Sequence, residues 1–262
     1  MEKHGLAKIE EWRHLGRADL HIHSNFSDAR PSVEEILEYV ENKTDLNVIA
    51  ISDHDTMEGA FLAKELMAKK KYRFELILGE EVSSQEGHIL ALFLTKAIPK
   101  NLPAHEVLEE INRQGGIAIA AHPFERTRMN NSRMIVMDGI GAVTLIKEQR
   151  FFHAVEVVNA TPTLADENLR ASILNKTLLG KAETGSSDAH ILEAIGKGYT
   201  LFEGKTSEDL KQAILDRQTR AMFGKWTLLA LIKYFFFFIP IGLRMLANTV
   251  LHGRRPKRKD LI

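Results

Sequence analysis

Short apolar runs alternate with helical patterns from residue 17 to residue 219, and this alternation constrains the fold more than any other feature of the chain. Strand-sized runs separated by helix-sized segments are typical of parallel βα units. One predicted helix begins near Pro31, and the others cover roughly residues 57–70, 104–114, 164–179 and 207–217. The predicted strands are residues 18–23, 48–52, 75–78, 88–94, 117–121, 154–158 and 181–184. We therefore expect an α/β fold.

Side-chain size alternates along two of these strands. The face shared with His54 carries Val48, Ala50 and Ser52, and the face shared with His122 carries Gly116, Ala118 and Ala120. The opposite faces carry mainly isoleucine. Small residues on one face and bulky ones on the other fit a tight barrel with helices packed outside. Each strand then ends in a histidine at the barrel mouth, where the catalytic groups of such barrels lie.

The chain has no cysteine among its 262 residues. Disulfides, thiolate zinc sites and cysteine nucleophiles are therefore excluded. Any bound metal must use histidine, aspartate or glutamate, and histidine is plentiful, with 11 copies. The composition, 44% hydrophobic and 27% charged, is enough for a sizeable core and excludes wholesale disorder.

The first candidate motif is Asp19-Leu20-His21-Ile22-His23, followed by Asp28. Strict alternation would place Asp19, His21 and His23 on one strand face, so that two imidazoles could hold one metal ion. Asp28, in the following loop, can return to the same mouth. An isolated His-X-His is equally compatible with an ordinary strand.

Two further motifs follow the next predicted strands. In Asp53-His54-Asp55, Asp55 could cap a helix, but His54 has no such role. In Gly79-Glu80-Glu81 and the later His88, a carboxylate can bridge two cations, and Glu81 is the candidate with Glu80 left to solvent. Taken alone, two surface glutamates and a half-buried core histidine would explain this segment as well.

The last two motifs are His122-Pro123 and Gly185-Ser186-Ser187-Asp188-Ala189-His190. Asp188 and His190 are again two residues apart, and the small residues before them allow close backbone approach. All the motifs together bring six histidines and three acids to predicted strand ends. Nine ligands are too many for one ion, so two or three divalent ions such as Mn, Zn or Fe are implied. Several dications can clamp a phosphoester and activate water.

The combined motifs resemble those of the PHP (polymerase and histidinol phosphatase) family of metal-dependent phosphoesterases. The matching segments run in family order between residues 19 and 190, and Ala29 stands where the family often has glycine. They read DLHIHSNFSDA, ISDHDT, LGEEVSSQEGHIL, AAHPF, VEVVNA and GSSDAH. The resemblance implies a distorted (β/α)7 TIM-like barrel with a trinuclear metal centre at its mouth.

The resemblance also implies a ligand set for each of the three metals. One metal is expected on His21, His23, Glu81 and Asp188, a second on Glu81, His88 and His122, and a third on Asp28, His54 and His190. The implied reaction is hydrolysis of a phosphomonoester or phosphodiester by metal-bound hydroxide, with no catalytic residue beyond the metal ligands.

Small members of the family act on nucleotides or short RNA, so the resemblance favours a nucleotide or short oligonucleotide substrate. Arg126, Arg128 and Asn159 are candidate substrate contacts, although solvated loop charges explain the two arginines as well. Glu156 is expected to be structural. The acidic body offers no basic groove, which counts against long nucleic acid.

Three alternatives stay open at this point. A histidinol-phosphatase-like enzyme or other small phosphomonoesterase would use the same metals on a different substrate. An amidohydrolase barrel also begins with His-X-His, but ISDHDT and GSSDAH argue against it. A metal-stabilised binding module tethered to a membrane partner would release no phosphate from any ester.

Residues 226–251, WTLLALIKYFFFFIPIGLRMLANTVL, do not belong to the family pattern. From Arg220 onward the chain carries nine of its 35 Lys and Arg residues but only one of its 35 acids. We therefore divide the chain into residues 1–224, a phosphoesterase domain, and residues 225–262, an apolar helix with a basic tail. We expect this helix to lie in a membrane interface, helped by anionic lipids. The alternative is a helix buried against the barrel or a partner subunit.

Two features predict the location of the protein. The N-terminus, MEKHGLAKIEEW, lacks the apolar run of a signal peptide. Basic residues on both flanks of the apolar segment favour the same side of a membrane. The expected location is cytoplasmic, at the inner face of the membrane, with contacts to lipid through residues 226–259.

Overall fold

A computed structural model describes residues 14–128, 135–137 and 139–252. Eleven strands are found there: β1 (Leu15–Ile22), β2 (Val48–Ile51), β3 (Glu75–Ser83), β4 (His88–Leu92), β5 (Ile117–Ala120), β6 (Arg126–Arg128), β7 (Ile135–Met137), β8 (Ala154–Asn159), β9 (Ala182–Ser186), β10 (Gly198–Glu203) and β11 (Arg220–Phe223). The helices are α1 (Val33–Lys43), α2 (Glu58–Lys69), α3 (Ala104–Arg113), α4 (Gly141–Lys147), α5 (Ala165–Leu174), α6 (Ser207–Leu215) and α7 (Leu228–His252). A π-helical turn covers Asn175–Leu179 and a 3₁₀ turn covers Leu192–Ala194.

Nine strands form one sheet in the order β11-β10-β1-β2-β3-β4-β5-β8-β9. The sheet curls until β1 approaches the residues that follow β9: Ile22 forms a parallel bridge with Ala189, and the His23 N–H donates to the Ala189 carbonyl at 2.9 Å. The fold is a nearly closed, distorted TIM-like barrel, as the sequence predicted. Two strands without a sequence assignment extend it beyond β1: β10 pairs antiparallel with β1, and β11 pairs antiparallel with β10.

One strand departs from the parallel βα pattern. β4 is antiparallel to both β3 and β5. The connection between β3 and β4 is too short for a helix, and a short connection joins antiparallel strands. Because β4 runs the other way, its first residue rather than its last lies at the mouth. This reversal explains why His88 opens a strand whereas the other histidines close theirs.

The interior of the barrel is an apolar cluster to which β1 to β5, β8, β9 and β10 contribute. Leu210 and Ile214 of α6 join it, so this helix closes the end opposite the mouth. Leu20, Leu90, Ile117 and other members are fully buried. Burial of each such side chain stabilises the fold by about 1.5–3 kcal/mol.

The helices pack outside the barrel. α1 follows its predicted capping box, since Ser32 accepts from the Glu35 N–H and Glu35 accepts from the Ser32 N–H. Its apolar stripe packs with Ile49 and Ile51 of β2, the outward face that the alternation predicted. Val48 and Ala50 face the interior. The predicted parity of β2 is therefore confirmed.

The predicted parity of β5 is wrong. Ile117 and Ile119 lie in the interior cluster, whereas Ala118 and Ala120 pack in the outer cluster with α3. The prediction extended strict alternation to His122, but β5 ends at Ala120 and His122 has a positive φ of 25°. That local turn, and not strand alternation, brings its imidazole to the mouth.

Strict alternation also fails in β1. The register between β1 and β2 shifts between Asp19 and Ile22. Leu20 belongs to the interior cluster while Asp19 accepts from the Ser187 and Gly196 N–H groups, at 3.0 and 2.8 Å. Asp19 therefore does not share a face with His21 and His23. A shift of this kind re-aims the side chains that follow it.

The last helix, α7, packs on the barrel through Ala230 and Tyr234, which are 2% and 6% exposed. Its other side presents Leu228, Leu229, Phe235 and Phe236 to solvent, with Phe236 76% exposed. Among the residues that the structure describes, no helix combines the length and apolar character needed to cross a bilayer. The basic tail from residue 253 lies outside the described residues.

Candidate metal centre

All nine predicted metal ligands meet at the mouth of the barrel. Each lies at or just beyond a strand end, and every one of them is buried or nearly so. The set is His21, His23, Asp28, His54, Glu81, His88, His122, Asp188 and His190. Residues separated by up to 167 positions in the chain, such as His21 and Asp188, are thus within ligand reach of one another.

Glu81 lies at the centre of this cluster and is fully buried. Its Oε2 is 2.9 Å from His54 Nδ1 and 3.3 Å from His21 Nε2. Its Oε1 is 2.9 Å from His88 Nδ1 and 3.0 Å from His122 Nε2. Each oxygen of this carboxylate faces at least two imidazoles, which suits a bridging metal ligand.

The ligand atoms form four overlapping groups, each with its atoms within 4.8 Å of one another. The overlap follows the predicted ligand sets in part, and His23 joins the residues predicted for the third metal. The groups are His21, His23 and Glu81; His54, Glu81 and His88; His21, His122 and Asp188; and His23, Asp28, His54 and His190. How many ions these groups hold, and which, stays a prediction.

The donor atoms fit divalent metal ions. His21 Nε2, His23 Nδ1, His88 Nδ1 and Glu81 Oε2 are buried and make no hydrogen bond within the described part of the chain. A buried polar atom without a hydrogen bond costs about 1–3 kcal/mol. Metal coordination would satisfy such atoms, and nitrogen and oxygen donors suit Zn, Mn and Fe(II).

Charge is concentrated in this small volume. Burial disfavours the charged form of His21, but the carboxylates of Asp188, Glu81 and Glu156 outweigh it and hold the pKa of His21 well above its usual range. Burial likewise opposes ionisation of Glu81, yet the surrounding histidines hold the pKa of Glu81 well below normal. Burial and the neighbouring His190 and His54 lower the pKa of His23 to about 4. The fold therefore keeps its central carboxylate ionised.

Two of the candidate ligands have unusual backbone conformations. Asp188 has a φ of 51° and His122 a φ of 25°, in the region that non-glycine residues seldom adopt. Such conformations persist where the surrounding structure enforces them, often at functional sites. Here both turn a side chain toward the cluster immediately after a strand.

A second layer of polar residues holds the ligands in place, and Glu156 is its main member. Its Oε1 lies 3.1 Å from His21 Nδ1, and its Oε2 accepts from the His122 N–H at 2.7 Å. A carboxylate behind an imidazole orients the ring and raises its basicity as a ligand. The expectation that Glu156 is structural agrees with these contacts.

Asn159, predicted to line the mouth, is instead fully buried. Its amide donates to Glu156 Oε2 and to Asp188 Oδ2, both at 3.1 Å. Its side chain lies behind the candidate ligands, and its contact with a substrate stays a prediction. It orients Asp188.

Asp53 organises the loop that carries Asp28. Its carboxylate accepts from the Ser24 N–H at 2.7 Å and from the Ser24 and Ser27 hydroxyls at 2.6 Å. Asp55, considered as a helix cap, instead accepts from the Ser83 N–H at 2.8 Å, and Met57 precedes α2. In this motif, His54 is therefore the candidate metal ligand, and Asp53 and Asp55 hold neighbouring backbone in place.

Glu80 is not the solvated partner of Glu81 that the sequence predicted. It is fully buried on the other face of β3, and it accepts from the Ile98 N–H at 2.5 Å. Burial raises the pKa of Glu80 to about 7. Consecutive residues of a strand point to opposite faces, so only Glu81 can reach the mouth.

The segment after His122 is described in part. The backbone of Arg126–Arg128 forms β6 and pairs with β7, and the side chains of Arg126 and Arg128 lie outside the described residues. Glu125, which sequence reasoning did not single out, has its Oε2 3.0 Å from His122 Nδ1. Its position three residues after His122 was the available signal.

Comparison with known proteins finds several that this chain resembles over part of its length. A family model described as PHP-associated matches residues 166–219. The "Uncharacterized protein MJ1587" of Methanocaldococcus jannaschii is 41% identical over 119 residues, which are 41% of this chain and 68% of that protein. A 5'-3' exoribonuclease of Haemophilus influenzae is 40% identical over 88 residues, 31% of this chain and 30% of that enzyme.

Solved structures share the fold. One is a two-domain protein of Bacteroides vulgatus containing a "predicted PHP-like metal-dependent phosphoesterase", with a TM-score of 0.57 and 20% identity, covering 80% of this chain and 65% of that one. Another is Endonuclease Q in complex with a 27-mer duplex substrate, with a TM-score of 0.53 and 19% identity, covering 76% and 56%. This chain therefore spans just under two thirds of the first of these proteins. By its sequence relatives, its family model and its fold, the chain belongs to the PHP domain family.

Proposed function

We propose that this protein is a hydrolase that uses two or three divalent metal ions, Mn, Zn or Fe, to cleave a phosphomonoester or phosphodiester. The single observation that carries the proposal is the convergence of nine nitrogen and oxygen ligands around Glu81 at the barrel mouth. A structural metal site needs only about four ligands. A cluster twice that size, at the end of the barrel where catalytic groups lie, favours chemistry.

The candidate ligands and the residues behind them have different roles in this proposal. Glu81 would bridge the metal ions, and the surrounding histidines with Asp28 and Asp188 would complete their coordination. Divalent ions, when bound, neutralise phosphate oxygens and lower the pKa of water. Glu156 and Asn159 keep His21 and Asp188 in a fixed orientation through the contacts described above. No covalent intermediate on the chain is needed.

The proposed substrate is a nucleotide or a short oligonucleotide. The support is the likeness to an exoribonuclease over part of its length, together with the family motifs. The duplex bound to Endonuclease Q belongs to that protein. For this chain we still expect no long nucleic acid, because the first 219 residues hold most of its acids and no basic groove was predicted there.

The test is a screen of phosphomonoesters, nucleotide bisphosphates, cyclic nucleotides and short oligonucleotides with added Mn²⁺, using a Glu81→Gln variant as the blank. We expect phosphate or nucleotide release that the variant lacks. Best turnover of histidinol phosphate would favour the alternative of a histidinol-phosphatase-like enzyme. No release from any ester would favour the other alternative, a non-catalytic metal-binding module.

We further propose that residues 225–262 form a separate segment that lies on the inner, cytoplasmic face of a membrane. The support is the row of exposed apolar side chains on α7 and the run of bases after it in the sequence. Apolar burial and attraction to anionic lipid add up in such helices. Binding to anionic vesicles by the full chain tests this proposal.

A further inference from the structure

The first turns of α7 lie against the metal centre. The ring centroid of Phe238 is 5.6 Å from that of His190, and the centroid of Phe237 is 6.4 Å from it. His190 Nε2 is in turn 3.2 Å from Asp28 Oδ1. The two phenylalanines therefore border the side of the cluster formed by Asp28, His54 and His190.

Contacts with two different loops hold α7 in this place. Tyr234 is 6% exposed, and its ring centroid is 4.4 Å from that of Phe238. The Trp226 indole donates to the Ala160 carbonyl at 3.2 Å. Lys233 pairs with Glu193, which follows β9. Because both loops lie at strand ends, the helix is fixed at the rim of the mouth.

The two sides of this helix differ in exposure although both are aromatic. Phe237 and Phe238 are half-buried, following Ala230 and Tyr234 at the spacing of one helical face. Phe235 and Phe236 are exposed. Half-buried rings at the rim keep part of their faces free for a ligand while their other contacts fix their positions.

We propose that Phe237 and Phe238 form an aromatic wall on the leaving-group side of the active site. This wall would select phosphoesters whose leaving group carries a flat ring, such as a nucleoside, over esters of an aliphatic alcohol. The inference rests on the proposed function, and it names the residues that would select the proposed class of substrate. Stacking of a base on an aromatic ring is worth roughly tenfold or more in affinity per base.

The test compares two double variants with the same chemical change on opposite sides of one helix. Phe237→Leu with Phe238→Leu keeps apolar bulk and removes the rings, and Phe235→Leu with Phe236→Leu is the matched control. Two quantities are measured on the Mn²⁺-loaded full chain without membranes. They are the ratio of kcat/KM for adenosine 5′-monophosphate to that for glycerol 3-phosphate, and the Kd of adenosine by calorimetry.

For the Phe237 and Phe238 variant we expect the kcat/KM ratio to fall about tenfold and adenosine to bind about tenfold more weakly. The control should keep both values within about twofold, and thermal melting should show both variants folded. An unchanged ratio and Kd in the first variant, equal losses in both variants, or no adenosine binding by the wild type would overturn the inference. If no ester is hydrolysed, the proposed function fails. The Kd of adenosine in the wild type and the variants then still tests whether Phe237 and Phe238 form the aromatic wall.

Discussion

The barrel mouth and the helix α7 are both rich in unusual side chains, but their sequences carry information in different ways. At the mouth, short motifs separated by tens of residues converge on Glu81, and each motif is fixed by a strand end. In α7 the apolar residues are consecutive, and both the packed and the exposed face of the helix carry apolar side chains. The comparison shows that scattered polar motifs predict which side chains meet at the mouth, whereas an apolar run does not say which of its faces is used.

The largest expected effect lies at the mouth. Asp188→Asn keeps size and suits the positive φ of this position, since asparagine tolerates that region. It removes the charge that approaches His21 and His23 at 3.5 and 3.1 Å. We expect phosphoesterase activity to fall by at least about 100-fold, measured as kcat/KM with Mn²⁺. Asp216→Asn, at the exposed end of α6, is the control, and equal activity in both variants would contradict the role of Asp188.

The second effect tests whether the supporting layer matters. Glu156→Gln retains an acceptor for the His122 N–H but weakens the contact with His21 Nδ1. We expect metal affinity to fall by about 10–100-fold, measured by competition with a chelator. Gln212→Glu on the outside of the barrel should leave it unchanged. Wild-type affinity in Glu156→Gln would reduce this residue to a packing role.

The third expected effect concerns membrane binding by the exposed apolar side chains of α7. Leu229 and Phe236 are 62% and 76% exposed, and replacing both with serine removes apolar surface without touching the barrel. Binding to anionic vesicles should weaken by about tenfold or more, measured by sedimentation. Val143→Ser, 82% exposed on α4, is the matched change elsewhere. If the α7 variant and the α4 variant sediment alike, α7 is not the membrane contact.

The smallest effect lies far from both regions, at His153 before β8. Its Nδ1 accepts from the Ala118 N–H at 3.1 Å, and burial with the nearby Lys181 and Lys211 lowers the pKa of His153. The folded state then binds fewer protons than the unfolded state, so this group's stabilisation is lost as pH falls below about 6.5. Between pH 7 and pH 5, His153→Gln should lose less stability than the wild type. The difference should be under about 1 kcal/mol by urea unfolding, because the ring is partly exposed. An equal loss in both proteins would contradict the lowered pKa.

Much of this architecture could be predicted from the sequence, for physical reasons. The hydrophobic period predicted seven strands and most helices, and the places of polar residues at strand ends predicted which side chains meet at the mouth. The face of β5 and the position of Asp19 could not, because a positive φ at His122 and a register shift in β1 interrupt the alternation. The two-residue alternation of side-chain types along a strand does not reveal such local changes.

The supporting residues were harder to predict than the ligands. Glu156 and Asn159 act through contacts with His21 and Asp188, which lie far away in the chain. Glu80 and Glu81 are identical in type, and only the register of β3 decides which one faces the metal centre. A carboxylate can be a metal ligand only if its strand face points to the mouth. The two-residue alternation of a sequence predicts that face only where the strand is regular.

The central claim is that the ligands around Glu81 form one cage for several metal ions. The direct measurement is anomalous diffraction at the manganese edge from crystals grown with Mn²⁺. We expect at least two peaks, roughly 3.5–4 Å apart, with Glu81 between them. A single peak, or peaks away from Glu81, would contradict the account.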